Sequence, residues 1–305
     1  MKTGADSIAG NVLAKKQETE MDAKEKENKH SGRLICPAVL SIAGSDSSGG
    51  AGIQADLKTM AALGVYGMTA ITALTAQNTL GVDAVMEVPP AFLEAQIDAV
   101  FTDIVPAAVK LGMLGSAPLM ETTAQRLRFY HAKHVVLDPV MVATSGARLM
   151  QENALSVLKE KLFPLAEVIT PNIPEAEVLC GWNITSANDM ERAALQLAKE
   201  SGCFVLLKGG HSTEDANDVL AEPDTGRIVW FYGKRIQTNN THGTGCTLSS
   251  AIAAYLAKGK CLREAVASAK SYLEDALAAG LSLGRGSGPL CHNIALQHWR
   301  SGGSC

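Results

Sequence analysis

The sequence predicts an α/β fold: a mostly parallel central sheet flanked by helices on both faces, a three-layer αβα arrangement. Two observations predict it. From Leu34 onward, short apolar runs alternate with amphipathic stretches, the rhythm of βαβ units whose parallel strands are covered on both sides. The stretch SIAGSDSSGGAGIQADLKTMAALG, Ser41 to Gly64, then sets an apolar run, a loop of glycines and small polar residues, and a helical pattern in immediate succession. Such loops leave the carboxyl ends of strands, where ligands gather in open α/β sheets.

Taken in order, residues 1–33 are polar and mixed in charge, with no apolar secretion segment and too many acids for an organelle transit peptide. They read as a flexible tail outside the fold, leaving 34–305 as one domain. Strands are expected at 38–43, 67–74, 107–114, 134–141, 167–170 and 204–208. Helical patterns fall at 53–63, 91–102, 119–131, 154–163 and 189–200. After Gly210 the rhythm changes to a strand pair, 219–220 with 228–236, and then two helices, 247–257 and 263–279.

The 305 residues carry a net charge of -4 and 47% hydrophobic side chains, enough for a sizeable core and with no basic field to attract nucleic acid. No apolar run reaches the roughly 18 to 20 residues of a membrane span. Seven cysteines, odd in number and without a C-x-x-C pair, indicate neither a zinc site nor a disulfide framework. A reducing, cytoplasmic setting follows.

Three loops carry chemistry. GAGIQA, 50–55, matches the dinucleotide fingerprint G-x-G-x-x-G/A in form, but GSDSSG separates it from its strand and no acid stands near 74–78 for a ribose. The phosphate-loop pattern is absent. What remains is a loop that lets backbone approach a ligand, with Asp56 one turn into the helix as a pocket carboxylate or as a charge favoured by the helix dipole. In NNTHGTGCTLSSAIAAYLAKG, 239–259, a GTG turn runs into a helix, so the amides of Gly243, Thr244, Gly245 and Cys246 point outward with the dipole behind them. That is an anion hole suited to a phosphoryl group in transfer. In VITPNIPEAEVL, 168–179, Asn172 and Glu175 stand three apart at a strand-to-helix turn, as a capping box or as groups around a hydrated magnesium ion. Asp138 and Lys208 end neighbouring strands and add an acid and a base at the same sheet edge.

Read together, IAGSDSSGGAGIQADLKTMAALGVYG, ITALTAQNT, KLGML, VVLDPVM, TPNIPEAEVL, LLKGGH and THGTGCTLSSAIAA closely resemble the hydroxymethylpyrimidine and phosphomethylpyrimidine kinases of thiamin biosynthesis, in the ribokinase-like superfamily. The likeness runs from about Leu34 to His298. It implies a ribokinase-like domain that uses ATP and Mg2+ to phosphorylate 4-amino-5-hydroxymethyl-2-methylpyrimidine, and then its monophosphate to the pyrophosphate. By this resemblance the glycine loop covers the pyrimidine. Gln77 pairs with the ring edge, an amide offering both a donor and an acceptor. Gly44, Asp56, Met113 and Val140 belong to the substrate pocket, Asn172, Glu175 and Asp138 to the magnesium and phosphate side, and Lys208 to the nucleotide side. Cys246 takes the catalytic position that is aspartate in most sugar kinases of the superfamily.

At a helix N-terminus the Cys246 thiol pKa is expected to fall, making it a general base. The base is expected to matter for the first phosphorylation, of an alcohol, and not for the second, of a phosphate already ionised above a pKa of about 6. The rival activities are pyridoxal or pyridoxine phosphorylation and non-catalytic pyrimidine sensing. The family resemblance also implies a homodimer, and no second enzyme domain is expected after HWRSGGSC.

Overall fold

In the computed structural model, which describes residues 36–142, 146, 149–151, 153–210 and 216–294, nine strands form one sheet. The strands are β1 (Ala38–Asp46), β2 (Tyr66–Gln77), β3 (Val82–Glu87), β4 (Ala108–Leu111), β5 (Val135–Leu137), β6 (Val168–Ile169), β7 (Phe204–Leu207), β8 (Asp218–Ala221) and β9 (Ile228–Phe231). Their spatial order is β3-β2-β1-β4-β5-β6-β7-β8-β9. The six strands from β2 to β7 are parallel, so all their carboxyl ends lie at one edge. Antiparallel β3 closes one side, and the β8–β9 pair closes the other.

Among the described residues, eight α-helices cover the sheet: α1 (Gly52–Ala62), α2 (Pro90–Phe101), α3 (Ala117–Phe129), α4 (Ala154–Val157), α5 (Ile173–Cys180), α6 (Ala187–Ser201), α7 (Thr244–Ala257) and α8 (Leu262–Ala278). The two-residue period of each strand sorts its side chains between two cores. Leu40, Val109, Leu137, Ile169, Val205 and Leu207 pack with α2, α3 and α6 on one face. Val39, Ala108, Val136, Val168 and Leu206 pack with Met60 of α1 and with α7 and α8 on the other. All these strand residues are fully or almost fully buried, as the three-layer prediction requires.

Several strands are shorter than expected, β4 ending at Leu111, β5 at Leu137 and β9 at Phe231, and three further elements depart from expectation. β3 was not expected, because VDAVME is almost wholly exposed and carries no alternating apolar face; its ladder to β2 holds it. The single helix expected over 154–163 is α4 followed by a π-helical turn, Leu158–Leu162, and a 3-10 turn, Phe163–Leu165. Pro164 has no amide to give the carbonyl four residues back, so the hydrogen-bond ladder shifts there. Helix α7 begins at Thr244, three residues earlier than expected, because Gly243 in the left-handed region serves as its N-cap.

Strand order reverses between β1, whose chain continues outward to β2, and β4 on its other side. That switch point opens a crevice beyond the strand carboxyl ends, flanked by the loops that follow β1 and β4.

Candidate active site

The loop after β1 and the turn before α7 meet in this crevice. Gly243 has φ 85°, and a Cβ there would lie 2.0 Å from the Gly50 carbonyl oxygen. A Cβ on Gly50 would in turn fall 2.3 Å from the His242 ring. Both positions therefore need glycine, one for conformation and both for close approach. Asp46, the last residue of β1, ties the loop down: it accepts from the Ser48 amide and hydroxyl, from the Gly50 and Ala51 amides, and pairs with His242 Nε2 at 2.8 Å. Burial would raise the Asp46 carboxyl, but the His242, Ser48 and Ala51 hydrogen bonds hold it down to about 2. Gln77, at the end of β2, stands 3.3 Å from the same His242 nitrogen.

At the start of α7 the first intrahelical bond runs from the Thr247 amide to the Gly243 carbonyl, 2.9 Å. The Thr244 amide is turned to Thr241 O at 3.4 Å. Among the described residues no protein acceptor takes the amides of Gly243, Gly245 and Cys246, so three of the four expected donors are free for an anion. A Cβ on Gly245 would lie 3.1 Å from Asp138 Oδ2 and 3.4 Å from Lys208 Nζ, which brings the ends of β5 and β7 beside the turn.

Lys208 Nζ binds Asp138 Oδ1 at 2.8 Å, and Thr170 donates to the same oxygen at 3.2 Å. Burial would lower the Lys208 ammonium pKa, yet the Asp138 and Glu175 carboxylates raise it. Asn172 and Glu175 form the capping box of α5: Asn172 Oδ1 accepts from the Glu175 amide and Glu175 Oε2 accepts from the Asn172 amide, each at 2.9 Å. Burial pushes Glu175 up to about 7, with Asp138 adding to the rise and Lys208 opposing it. A carboxyl raised first by burial and then by a neighbouring carboxylate could be matched by a divalent cation that supplies positive charge. Among the described residues no three His, Cys, Asp or Glu side chains gather as a ready-made metal cage.

Two expectations need correction. Burial pushes the Cys246 thiol up to about 11, not down; Lys110 and the Gly52 amide pull against this while Asp56 and Asp138 add to it. The helix N-terminus is outweighed by the loss of water. Asp56 is neither a first-turn charge nor an open pocket group. It is fully buried in the second turn of α1, bound to Lys110 Nζ at 2.8 and 3.0 Å, to Ser41 Oγ at 2.5 Å and to Ser250 Oγ at 2.7 Å. Ser250 is one turn along α7 from Cys246, so the Asp56–Lys110 pair lies beneath the thiol. Gly44, at a register shift in β1, faces Met113: a Cβ there would lie 3.0 Å from the Met113 sulfur. Val140 is half-buried two residues past Asp138.

Sequence reasoning missed Asp46, His242 and Lys110. All three stand inside motifs it quoted. A buried charge shows in a sequence only as a polar letter within an apolar run, and KLGML was the one place where that signal existed. His211, in LLKGGH, and the tail lie outside the described residues.

The profile of the phosphomethylpyrimidine kinase family matches residues 46–291. The thiamine biosynthesis bifunctional protein ThiED of Geobacter sulfurreducens is 53% identical over 264 residues, 86% of this chain and 54% of that protein; the chain thus spans about half the length of this relative. The hydroxymethylpyrimidine/phosphomethylpyrimidine kinase of Rhizobium meliloti is 51% identical over 257 residues, 83% of this chain and 96% of that one. Among solved structures, an ADP complex of Bacillus subtilis pyridoxal kinase superposes with a TM-score of 0.79 at 36% identity, covering 86% of this chain and 99% of that one.

Proposed function

The chain belongs to the phosphomethylpyrimidine kinase family, and from that premise we propose that it is an ATP-dependent phosphotransferase acting twice on one ring. It phosphorylates 4-amino-5-hydroxymethyl-2-methylpyrimidine and then its monophosphate, yielding the pyrophosphate used in thiamin synthesis. The observation that carries this reading is the junction at His242: its ring touches Gln77, and the next residue opens the anion hole. A reader of a ring edge and a phosphoryl-binding turn thus share one crevice.

Gln77 and the apolar sides of Met113 and Val140 hold the pyrimidine under the glycine loop, with Asp56 supporting from below. The nucleotide lies across α7, its terminal phosphate at the amides of Gly243, Gly245 and Cys246 and beside Lys208 and Asn172. Asp138 and Glu175 would hold a hydrated magnesium ion, which would supply positive charge to offset that of the phosphates. In the first step the hydroxymethyl oxygen attacks the γ-phosphorus, the bond to the β-phosphate oxygen breaks, and ADP leaves with that electron pair. The hydroxyl proton passes to the thiolate form of Cys246. In the second step an ionised phosphate oxygen attacks and no base is needed.

Cys36, Cys180, Cys203, Cys246 and Cys261 are free thiols, and no described helix is long and apolar enough to cross a membrane. The reduced thiols support a cytoplasmic setting, which fractionation would check. Leu74 and Met86, direct partners across β2–β3, are both exposed, which supports a homodimer at that edge; sedimentation equilibrium showing only monomer would end that idea.

Pyridoxal phosphorylation is the second reading, favoured by the superposition on a pyridoxal kinase. The kinase reading is tested by replacing Gln77 with Ala. Pyrimidine-dependent ATP turnover is expected to fall by about a hundredfold or more while ATP affinity stays within about twofold, since a buried ring-edge pair is worth several kcal/mol. Unchanged turnover would remove Gln77 from the site.

A further inference from the structure

Ser45, Asp46, Thr75, Gln77 and His242 form one hydrogen-bonded chain beside the glycine loop, and a count of its protons fixes the direction of every link. Asp46 is ionised at neutral pH, so both its oxygens only accept. His242 Nε2, 2.8 Å from Asp46 Oδ2, must therefore carry the proton. An Nε2–H cannot accept, so the Gln77 amide, placed with its Nε2 3.3 Å from the ring and its Oε1 toward Thr75, must be turned over: the end that faces His242 is the carbonyl oxygen and not the NH2. The opposite end gives the same answer independently. The Thr75 hydroxyl has one proton, and its contact to the Ser45 carbonyl, 2.9 Å, takes it. The Gln77 atom 3.2 Å from Thr75 Oγ1 must then be a donor, the NH2. The Gln77 backbone is held as well, its amide donating to Ser47 Oγ at 2.9 Å and its carbonyl accepting from the same hydroxyl at 2.8 Å.

We infer that His242 and Thr75 are positioning residues that lock the Gln77 amide in a single orientation and thereby set which ring edge the enzyme accepts. Locked in this way, the amide keeps one lone pair and one N–H for a ligand in a fixed order. An amide in fixed order pairs with an exocyclic amine beside a ring nitrogen acceptor. It meets like with like when the amine is replaced by a carbonyl and the ring nitrogen carries a proton. Free rotation would remove that discrimination, because the turned amide suits the carbonyl form equally well. The lock rests on the reading of Gln77 as the ring-edge partner.

The test compares kcat/KM for the 4-amino-hydroxymethylpyrimidine with that for its 4-oxo analogue in the wild type, His242→Leu and Thr75→Val. A site built to hydrogen-bond one pattern rejects the other by about 10⁴. The ratio is expected to shrink at least about tenfold in each variant, through a higher KM for the amine and a lower one for the oxo ring, with the KM for ATP unmoved. Asp46 keeps four other donors without His242, so the loop remains anchored. Should His242→Leu nevertheless melt early, Thr75→Val decides. A ratio unchanged in the variants, with both rings losing rate alike, would overturn the lock and leave a structural role. A wild type that turns over neither ring would instead overturn the kinase reading itself.

Discussion

At Cys246 two electrical influences oppose each other. The helix start and the Lys110 ammonium favour the thiolate, while burial and the carboxylates of Asp56 and Asp138 favour the thiol, and the thiol prevails with a pKa of about 11. With the thiol pKa above neutral pH, the thiolate fraction is small near pH 7 and rises about tenfold per pH unit until that pKa. The rate of alcohol phosphorylation at saturating ATP is therefore expected to climb from about pH 7 to 9, whereas phosphorylation of the monophosphate is flat above its own pKa of about 6. Cys246→Ala is expected to flatten the first profile and slow that step more than the second. Parallel profiles for both steps, or equal losses in Cys246→Ala, would show that the thiol acts by position alone. Beneath it, Lys110 and Asp56 form a pair with no exposure at all. Lys110→Met leaves a buried carboxylate with only two hydroxyl partners, Ser41 and Ser250. A loss of ~3–5 kcal/mol in denaturant unfolding is expected, much of it recovered by adding Asp56→Asn; a loss under ~1 kcal/mol would mean the pair carries no such weight.

At the scale of elements, the helix whose free amides we propose as the anion hole depends on one glycine. Gly243 caps α7 in the left-handed region and lies against the Gly50 carbonyl, so it joins the turn before α7 to the loop after β1. Gly243→Ala adds ~1–2 kcal/mol of backbone strain and forces the two loops apart. A kcat at least about tenfold lower, with a melting temperature reduced by only a few degrees, is the expected result; full activity would uncouple the turn from the loop. Most strands were legible as short, mainly apolar runs buried on both faces, as in β4 and β7, and most helices by the apolar period of their buried side. The exposed β3 was not, since nothing in VDAVME but its neighbour β2 makes it a strand. The π-helical turn before Pro164 was equally hidden, because a shift of one hydrogen bond leaves the apolar spacing almost unchanged.

At the scale of the whole molecule, the loops that carry chemistry could be read one at a time, while their convergence could not. Asp46 and His242 are 196 residues apart in the chain and 2.8 Å apart in space. Only the strand order, reversing between β1 and β4, brings them to one crevice. Asp138, Lys208 and Glu175 were legible as polar ends of apolar strands or helices, but their mutual perturbation needed the sheet to set β5, β6 and β7 side by side. Lys110 shows in the sequence only as a polar letter in an apolar run, and the fold alone supplies its partner Asp56.

The central claim is that the free amides at the start of α7 hold a migrating phosphoryl group while Gln77 presents a hydroxymethyl-bearing pyrimidine to it. It is tested most directly by incubating the protein with ATP and an equal mixture of the hydroxymethylpyrimidine and pyridoxal, following products by mass over time. The account predicts pyrimidine monophosphate first and pyrimidine diphosphate later, both well ahead of pyridoxal phosphate. Pyridoxal phosphate as the leading product, or a pyrimidine that never passes the monophosphate, would contradict it.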